Sequence, residues 1–173
     1  TPGIAHMVHV LKANAGVVIS ASHNPYLDNG IKVFASDGYK LADSIEGELE
    51  ALVFADESGP TDRVGTSVRS TDAQDRYAAF LKAQVPQGFS LQGIKVIFDG
   101  ANGAGYKVGP QVLSDLGAEV TTLFCEPNGS NINAHCGAVH PESVALAVKS
   151  YGADIGIALD GDADRLVLVD ETG

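Results

Sequence analysis

Four short apolar runs separated by helical stretches, all between residues 94 and 169, constrain this chain more than any other feature. Residues 94–98, 119–124, 155–159 and 166–169 are rich in β-branched side chains and have strand length. Between them, residues 108–116 and 141–151 carry apolar side chains at helical spacing, with Pro141 at an opening turn and Gly117 and Gly152 where a left-handed cap closes a helix. Strands that alternate with helices build a mostly parallel sheet with helices on its faces, so the predicted class is α/β. The first third uses the same alphabet. A helix is predicted over 4–11, strands over 16–20 and 31–35, a turn at Ser36-Asp37-Gly38 and a helix over 45–54. Thr71 and Gln74 have the spacing of a capping box opening a further helix through Tyr77, Phe80 and Leu81. Residues 55–70 are polar and aperiodic, which puts a domain boundary near residue 66 and gives two α/β units, 1–66 and 67–173, each expected to hold a mainly parallel mixed sheet flanked by helices.

The chain has 173 residues and a formal charge of −11, from 22 acidic and 11 basic side chains. That balance argues against nucleic acid and anionic membranes as partners, since both need clustered Lys and Arg. No run approaches the roughly 18 apolar residues that span a bilayer. The chain opens on Thr1-Pro2, an N-cap and first-turn pair, with no signal segment; we therefore expect a piece of a longer protein. Cys125 and Cys136 suit two reduced thiols, and a cytoplasmic location is the expectation.

Two stretches carry chemistry. Residues 17–19 deliver Ser20-Ala21-Ser22-His23-Asn24-Pro25 at a strand's carboxyl end, where α/β sheets bind ligands. Serine is a poor nucleophile unless a base or a charged environment activates it. His23 is adjacent, and the turn residues Asp28-Asn29-Gly30 bring Lys32 back toward Ser22. A backbone-capping turn explains the same letters, and a Ser-His hydrolase is disfavoured because the Gly-x-Ser-x-Gly elbow is missing. The second stretch, Asp160-Gly161-Asp162-Ala163-Asp164-Arg165, follows a strand. Three carboxylates at alternating positions of an extended segment share one side, and closely spaced like charges call for a cation. An all-oxygen set selects a hard ion, and Mg2+ is the expected cofactor. Asp160, Asp162, Asp164 and Glu171 also stand at positions 1, 3, 5 and 12 of an EF-hand loop, but Arg165 occupies the place of its glycine and the flanks are strands.

A third stretch, Asp99-Gly100-Ala101-Asn102-Gly103-Ala104-Gly105, lies between strand and helix. Its glycines fit neither the dinucleotide fingerprint nor a Walker loop, so a tight connection is predicted, although a helix amino terminus there suits a phosphate. His6, His9, His135 and His140 have no ligand spacing.

Together these motifs resemble the α-D-phosphohexomutase superfamily, and within it the branch of bacterial phosphoglucosamine mutases. The resemblance rests on Ile19 through Pro25, on Asp28-Asn29-Gly30-Ile31-Lys32, on Asp160 to Arg165 and, for the branch, on Glu126 through Ala134, with Asn131-Ile132-Asn133 within it, and on Cys136-Gly137. It implies a phosphoserine enzyme interconverting glucosamine 6-phosphate and glucosamine 1-phosphate through a 1,6-bisphosphate. Carried over by motif, Ser22 holds the phosphoryl group, and Asp160, Asp162 and Asp164 hold Mg2+ together with a phosphoserine oxygen. His23 and Lys32 are candidates for moving protons, and Arg165 steadies a phosphate or the loop. Ala163 stands where many members have glycine, which was expected to be harmless. The family has four domains; this chain resembles the latter part of the first and most of the second. Turnover is therefore expected to require the remaining domains of the same enzyme, which carry sugar recognition and phosphate binding. The rival readings are a phosphomannomutase or phosphoglucomutase of the same superfamily, a non-catalytic divalent-metal-binding module and a purely structural acidic domain.

Overall fold

The computed structural model describes residues 1–55 and 64–173. Elements follow in the order α1 (Pro2–Leu11), β1 (Ala15–Ser20), β2 (Gly30–Ala35), α2 (Asp43–Phe54), α3 (Ala73–Ala83), β3 (Lys95–Asp99), α4 (Val108–Asp115), β4 (Glu119–Leu123), α5 (Glu142–Tyr151), β5 (Ile155–Leu159) and β6 (Leu166–Asp170), with a 3-10 turn at Gly137–Val139 before α5. The fold is α/β, with mixed sheet and flanking helices.

The larger sheet has the order β4-β3-β5-β6. β3 pairs in parallel with both β4 and β5, and β6 returns antiparallel to β5. Parallel neighbours need a crossover, which α4 and α5 supply. Alternation along β3 sends Ile97 toward α5, where it joins Val144, Ala147, Val148, Ala158 and Val169 in one core cluster. Phe98 points the other way, onto α4: a side chain at Gly109 would strike its ring. The carboxyl ends of β3 and β5, at Asp99 and Leu159, thus open onto the same rim.

The first sheet differs from expectation. Among the described residues it is a two-stranded antiparallel pair, β1 with β2, in which Ser20 faces Gly30 and Val18 faces Lys32. The connection of residues 21–29 is too short for a parallel crossover, so a hairpin is what the chain can form. α1 covers one face through Val8, Val18 and Phe34. α1 also reaches α3, where His6 stacks on Phe80 with ring centroids 4.0 Å apart. That contact gives His6 a packing role. Of the expected boundary at 55–70, residues 56–63 lie outside the described residues. α3 starts at Ala73 behind Asp72, and the Thr71/Gln74 capping box does not form: no side chain caps this helix. Asp72 is instead held by Arg76 and Ser70.

Candidate active site

β1 ends at Ser20, whose Oγ accepts the backbone N–H of Ser22 at 2.9 Å. Asn24 donates to the carbonyl of Ala21, also at 2.9 Å, closing a turn around Ser22. Within it Ser22 adopts φ 54°, a left-handed conformation that side chains other than glycine rarely take. The result is a half-buried hydroxyl aimed across to the second unit, where Ser22 Oγ donates to Asp162 Oδ1 at 3.2 Å.

Asp162 belongs to the loop joining β5 to β6. That loop is a turn rather than the extended segment the alternating carboxylates suggested. Asp160 Oδ1 accepts the N–H groups of Asp164 and Arg165, both at 3.1 Å, and Ala163 donates to the carbonyl of Asp160 at 3.0 Å. The turn still gathers the charges: one oxygen of each of Asp160, Asp162 and Asp164 lies within 4.8 Å of the others. Asp160 and Asp162 are buried and Asp164 is exposed.

Lys32 reaches this cluster from β2. Its Nζ donates to Asp162 Oδ2 at 2.6 Å and to Asp164 Oδ2 at 3.3 Å. Partial burial works against the ammonium, but the two carboxylates outweigh it and hold the Lys32 pKa above its ordinary value. Lys32 is therefore a fixed positive charge and a poor base. Burial likewise pushes Asp162 upward, yet Lys32 and the Thr1 hydroxyl, both bonded to it, bring its pKa down to about 2. Asp160 moves the other way: burial, reinforced by Asp162 and Asp164, raises it against the backbone donors of its turn. Among the described residues its buried Oδ2 has no hydrogen-bond partner, and neither has the buried Nδ1 of His23, next to Ser22. Arg165 is exposed at the rim, its Nε 3.9 Å from Asp164 Oδ1.

These groups fit a metal ion. Three carboxylates face one lysine ammonium, and Asp160 Oδ2 is a buried acceptor that no donor among the described residues satisfies and that a cation would. The donors are all oxygen, the chemistry of a hard divalent ion. The EF-hand alternative fails. Leu159 pairs with Leu166, so Glu171 lies five residues along β6, roughly 17 Å from the turn at ~3.4 Å per residue.

The glycine-rich stretch after β3 is the tight connection expected, and it packs under the carboxylate loop. A Cβ at Gly103 would lie 2.2 Å from the carbonyl oxygen of Gly161, and Ala104 donates to that oxygen at 2.8 Å. Two residues of this region carry more than their sequence context announced. Asp99 is fully buried and accepts the N–H groups of Ala101 and Gly137, both at 2.8 Å, tying β3 to the 3-10 turn. Asn133 Nδ2 donates to the carbonyls of both Ser22 and Asn24. The branch motif had drawn the eye to Asn131-Ile132-Asn133, but only topology reveals that Asn131 stays within its own loop while Asn133 crosses to the serine loop. Among the remaining histidines, His135 and His140 face each other at 5.8 Å between ring centroids.

The family model described as phosphoglucomutase/phosphomannomutase, alpha/beta/alpha domain II, matches residues 75–173, and that of domain I matches residues 1–59. A phosphoglucosamine mutase of Syntrophotalea carbinolica is 57% identical over the whole chain, which spans 39% of that protein. A phosphoglucosamine mutase of Acinetobacter baumannii is 53% identical with the same coverage. Among solved structures, a putative phosphomannomutase from Thermus thermophilus matches 99% of the chain and 40% of its own, with a TM-score of 0.76 and 26% identity. A phosphoglucomutase/phosphomannomutase family protein from Burkholderia thailandensis matches 92% of this chain and 34% of its own, with a TM-score of 0.70 and 28% identity. The chain spans about two-fifths of the length of the curated relatives it matches, and it belongs to the phosphoglucomutase/phosphomannomutase family.

Proposed function

We propose that this chain forms the phosphoserine and metal-binding portion of a phosphoglucosamine mutase, interconverting glucosamine 6-phosphate and glucosamine 1-phosphate through a 1,6-bisphosphate. The observation that carries the reading is the meeting of Ser22 Oγ with Asp162, inside a cluster of three carboxylates, from two units 140 residues apart in sequence. The glucosamine assignment rests on relatives of that name at 53–57% identity. Residues 1–66 and 67–173 are read as two domains, a division supported by family matches that end at 59 and resume at 75.

In this reading Ser22 carries the phosphoryl group. The bond from phosphorus to Ser22 Oγ breaks as one to a sugar hydroxyl oxygen forms; the hydroxyl proton leaves to a base, and Ser22 Oγ regains a proton. The reverse transfer, from the other end of the bisphosphate, restores phosphoserine. Such transfers depend on positioning and charge neutralisation. Asp160, Asp162 and Asp164 hold Mg2+, which when bound neutralises charge on the phosphoryl oxygens. Lys32, kept cationic by its carboxylate partners, adds a fixed positive charge beside Ser22. Asp162, with a pKa near 2, stays ionised as a ligand and does not serve as the base. His23, adjacent to Ser22 and with an Nδ1 unpartnered among the described residues, is read as the group that takes or returns the proton. Arg165 is free to contact a phosphate from the rim. The substrate is a small sugar phosphate, the remaining domains are those of the same enzyme, and the free thiols Cys125 and Cys136 agree with a cytoplasmic site of action.

The test is to graft the chain into the matching segment of the Syntrophotalea enzyme and assay it with Mg2+ and a hexose 1,6-bisphosphate. One phosphoryl group on Ser22, and turnover of glucosamine phosphate ahead of mannose and glucose phosphates, is the expected result. Preference for mannose or glucose phosphate would move the chain to a sister activity. Metal binding with an unmodified Ser22 would leave only a binding module.

A further inference from the structure

We infer that Asn133 is a positioning residue that fixes the phosphoryl-accepting serine from the opposite unit. This rests on the proposed role of Ser22 and adds a residue to it. The Asn133 amide places both Nδ2 hydrogens on carbonyls of the serine loop, 2.8 Å from the oxygen of Ser22 and 2.8 Å from that of Asn24. Carbonyls only accept, so the amide has one permissible orientation. The side chain cannot wander, because Asn133 is 7% exposed and its own N–H is fixed to the carbonyl of Ala101 at 2.9 Å. Its buried Oδ1 has no partner among the described residues, and both side-chain hydrogen bonds seen there go to the serine loop.

Ser22 needs such a restraint. Its φ of 54° is a left-handed conformation disfavoured in a residue with a side chain, and the turn around it supplies short-range backbone bonds. Asn133 binds the peptide immediately after the strained residue. The same contact sets the spacing between units. A Cβ at Gly161 would lie 2.5 Å from the Ser22 oxygen and 2.8 Å from Asn133 Nδ2, so the serine loop, Asn133 and the carboxylate loop meet at backbone distance. The position of Ser22 Oγ relative to Asp162 is therefore set through Asn133. In a reaction governed by positioning, a displacement of ~1 Å costs as much as ~100-fold in rate.

The test uses Asn133→Asp, which keeps the shape but turns acceptors toward two carbonyls, and Asn133→Ala, which removes both donors. In the 173-residue chain, amide hydrogen exchange is expected to accelerate in the 20–25 segment while the β3 amides stay protected. In the Syntrophotalea graft, kcat and the rate of Ser22 phosphorylation by hexose 1,6-bisphosphate are expected to fall at least about tenfold, with KM for the sugar phosphate changed by less than about threefold. Unchanged phosphorylation in either variant overturns the inference. So does a loss of protection throughout both units in both variants, because Asn133 would then be holding the fold rather than the serine. If the unsubstituted graft takes no phosphoryl group on Ser22, the functional reading falls first and this role falls with it.

Discussion

Ala163 adopts φ 58° at the turn of the carboxylate loop, a left-handed conformation that favours glycine. The family variation expected to be harmless therefore carries a backbone cost. Left-handed backbone costs about 1–2 kcal/mol with a Cβ, and glycine returns about 0.5–1 kcal/mol through its larger unfolded entropy. Ala163→Gly is thus expected to stabilise the chain by ~0.5–1 kcal/mol in urea unfolding, and a destabilised variant would contradict this backbone account. Asp99 poses the opposite problem. Burial raises its pKa, and the N–H groups of Gly137 and Ala101 pull it partly back. Asp99→Asn must turn its amide NH2 toward one of those donors, so a loss of ~1–3 kcal/mol is expected. The pH dependence has a definite sign. Because the folded pKa stays above the unfolded one, the stability contribution of Asp99 is present below the ordinary carboxylate range and lost as pH rises through the raised value. Comparing unfolding free energies of wild type and Asp99→Asn between pH 4 and 7 reads this directly: the difference between the two should shrink as pH rises.

At the scale of elements, periodicity located nearly every helix and strand, since each buries one face and so repeats at 3.6 or 2 residues. What it left out was pairing. Nothing in the apolar pattern of β1 and β2 states their relative direction; the short connection does, by excluding a crossover. The capping box failed because the helix starts one residue too late for it: Asp72, not Thr71, is the N-cap and Gln74 falls at N2, a one-residue shift that a spacing rule does not see. The three carboxylates were legible as a group because they are adjacent in sequence. Their meeting with Ser22 was legible only through family resemblance, because no local pattern encodes a contact across 140 residues. Gly103 and Gly161 show the same limit. Each looks like an ordinary loop glycine, yet their loops touch backbone to backbone. Gly103→Ala is expected to push the carboxylate loop away, at a cost of ~1–3 kcal/mol as in an overpacked core, and to weaken Mg2+ binding in a calorimetric titration. Unaltered stability together with unaltered Mg2+ binding would mean that the two loops yield more easily than their contact implies.

Across the whole molecule the two sheets are unequally supported. The four-stranded sheet carries a contiguous core on β3, β5 and α5, whereas behind the hairpin, among the described residues, lies a small cluster of Val8, Val18 and Phe34. Its other face leaves Val17 56%, Ile19 73% and Ile31 69% exposed, and α2 buries none of its side chains. Local opening is governed by how much apolar contact and protected hydrogen bonding a segment holds, so the hairpin belongs to the less stable end of this chain. Native-state hydrogen exchange is therefore expected to show β1 and β2 amides exchanging at least about tenfold faster than those of β3 and β5. Apart from the packing of α1 on α3, links between the units gather around the site: Ser22 and Lys32 from the first meet Asp162, Asp164 and Asn133 from the second. A cation held by these carboxylates that also takes Ser22 Oγ as a ligand binds more tightly when the two units are docked, and a ligand present at ~100 times its Kd adds ~2.7 kcal/mol to the state that binds it. Mg2+ is accordingly expected to slow exchange in β1 and β2 as well as in the carboxylate loop, and Asp160→Asn to abolish that slowing. If Mg2+ protected only residues 160–165, the ion would be seated by the second unit alone, and the hairpin would dock on the larger sheet through α1 and α3 without help from the site.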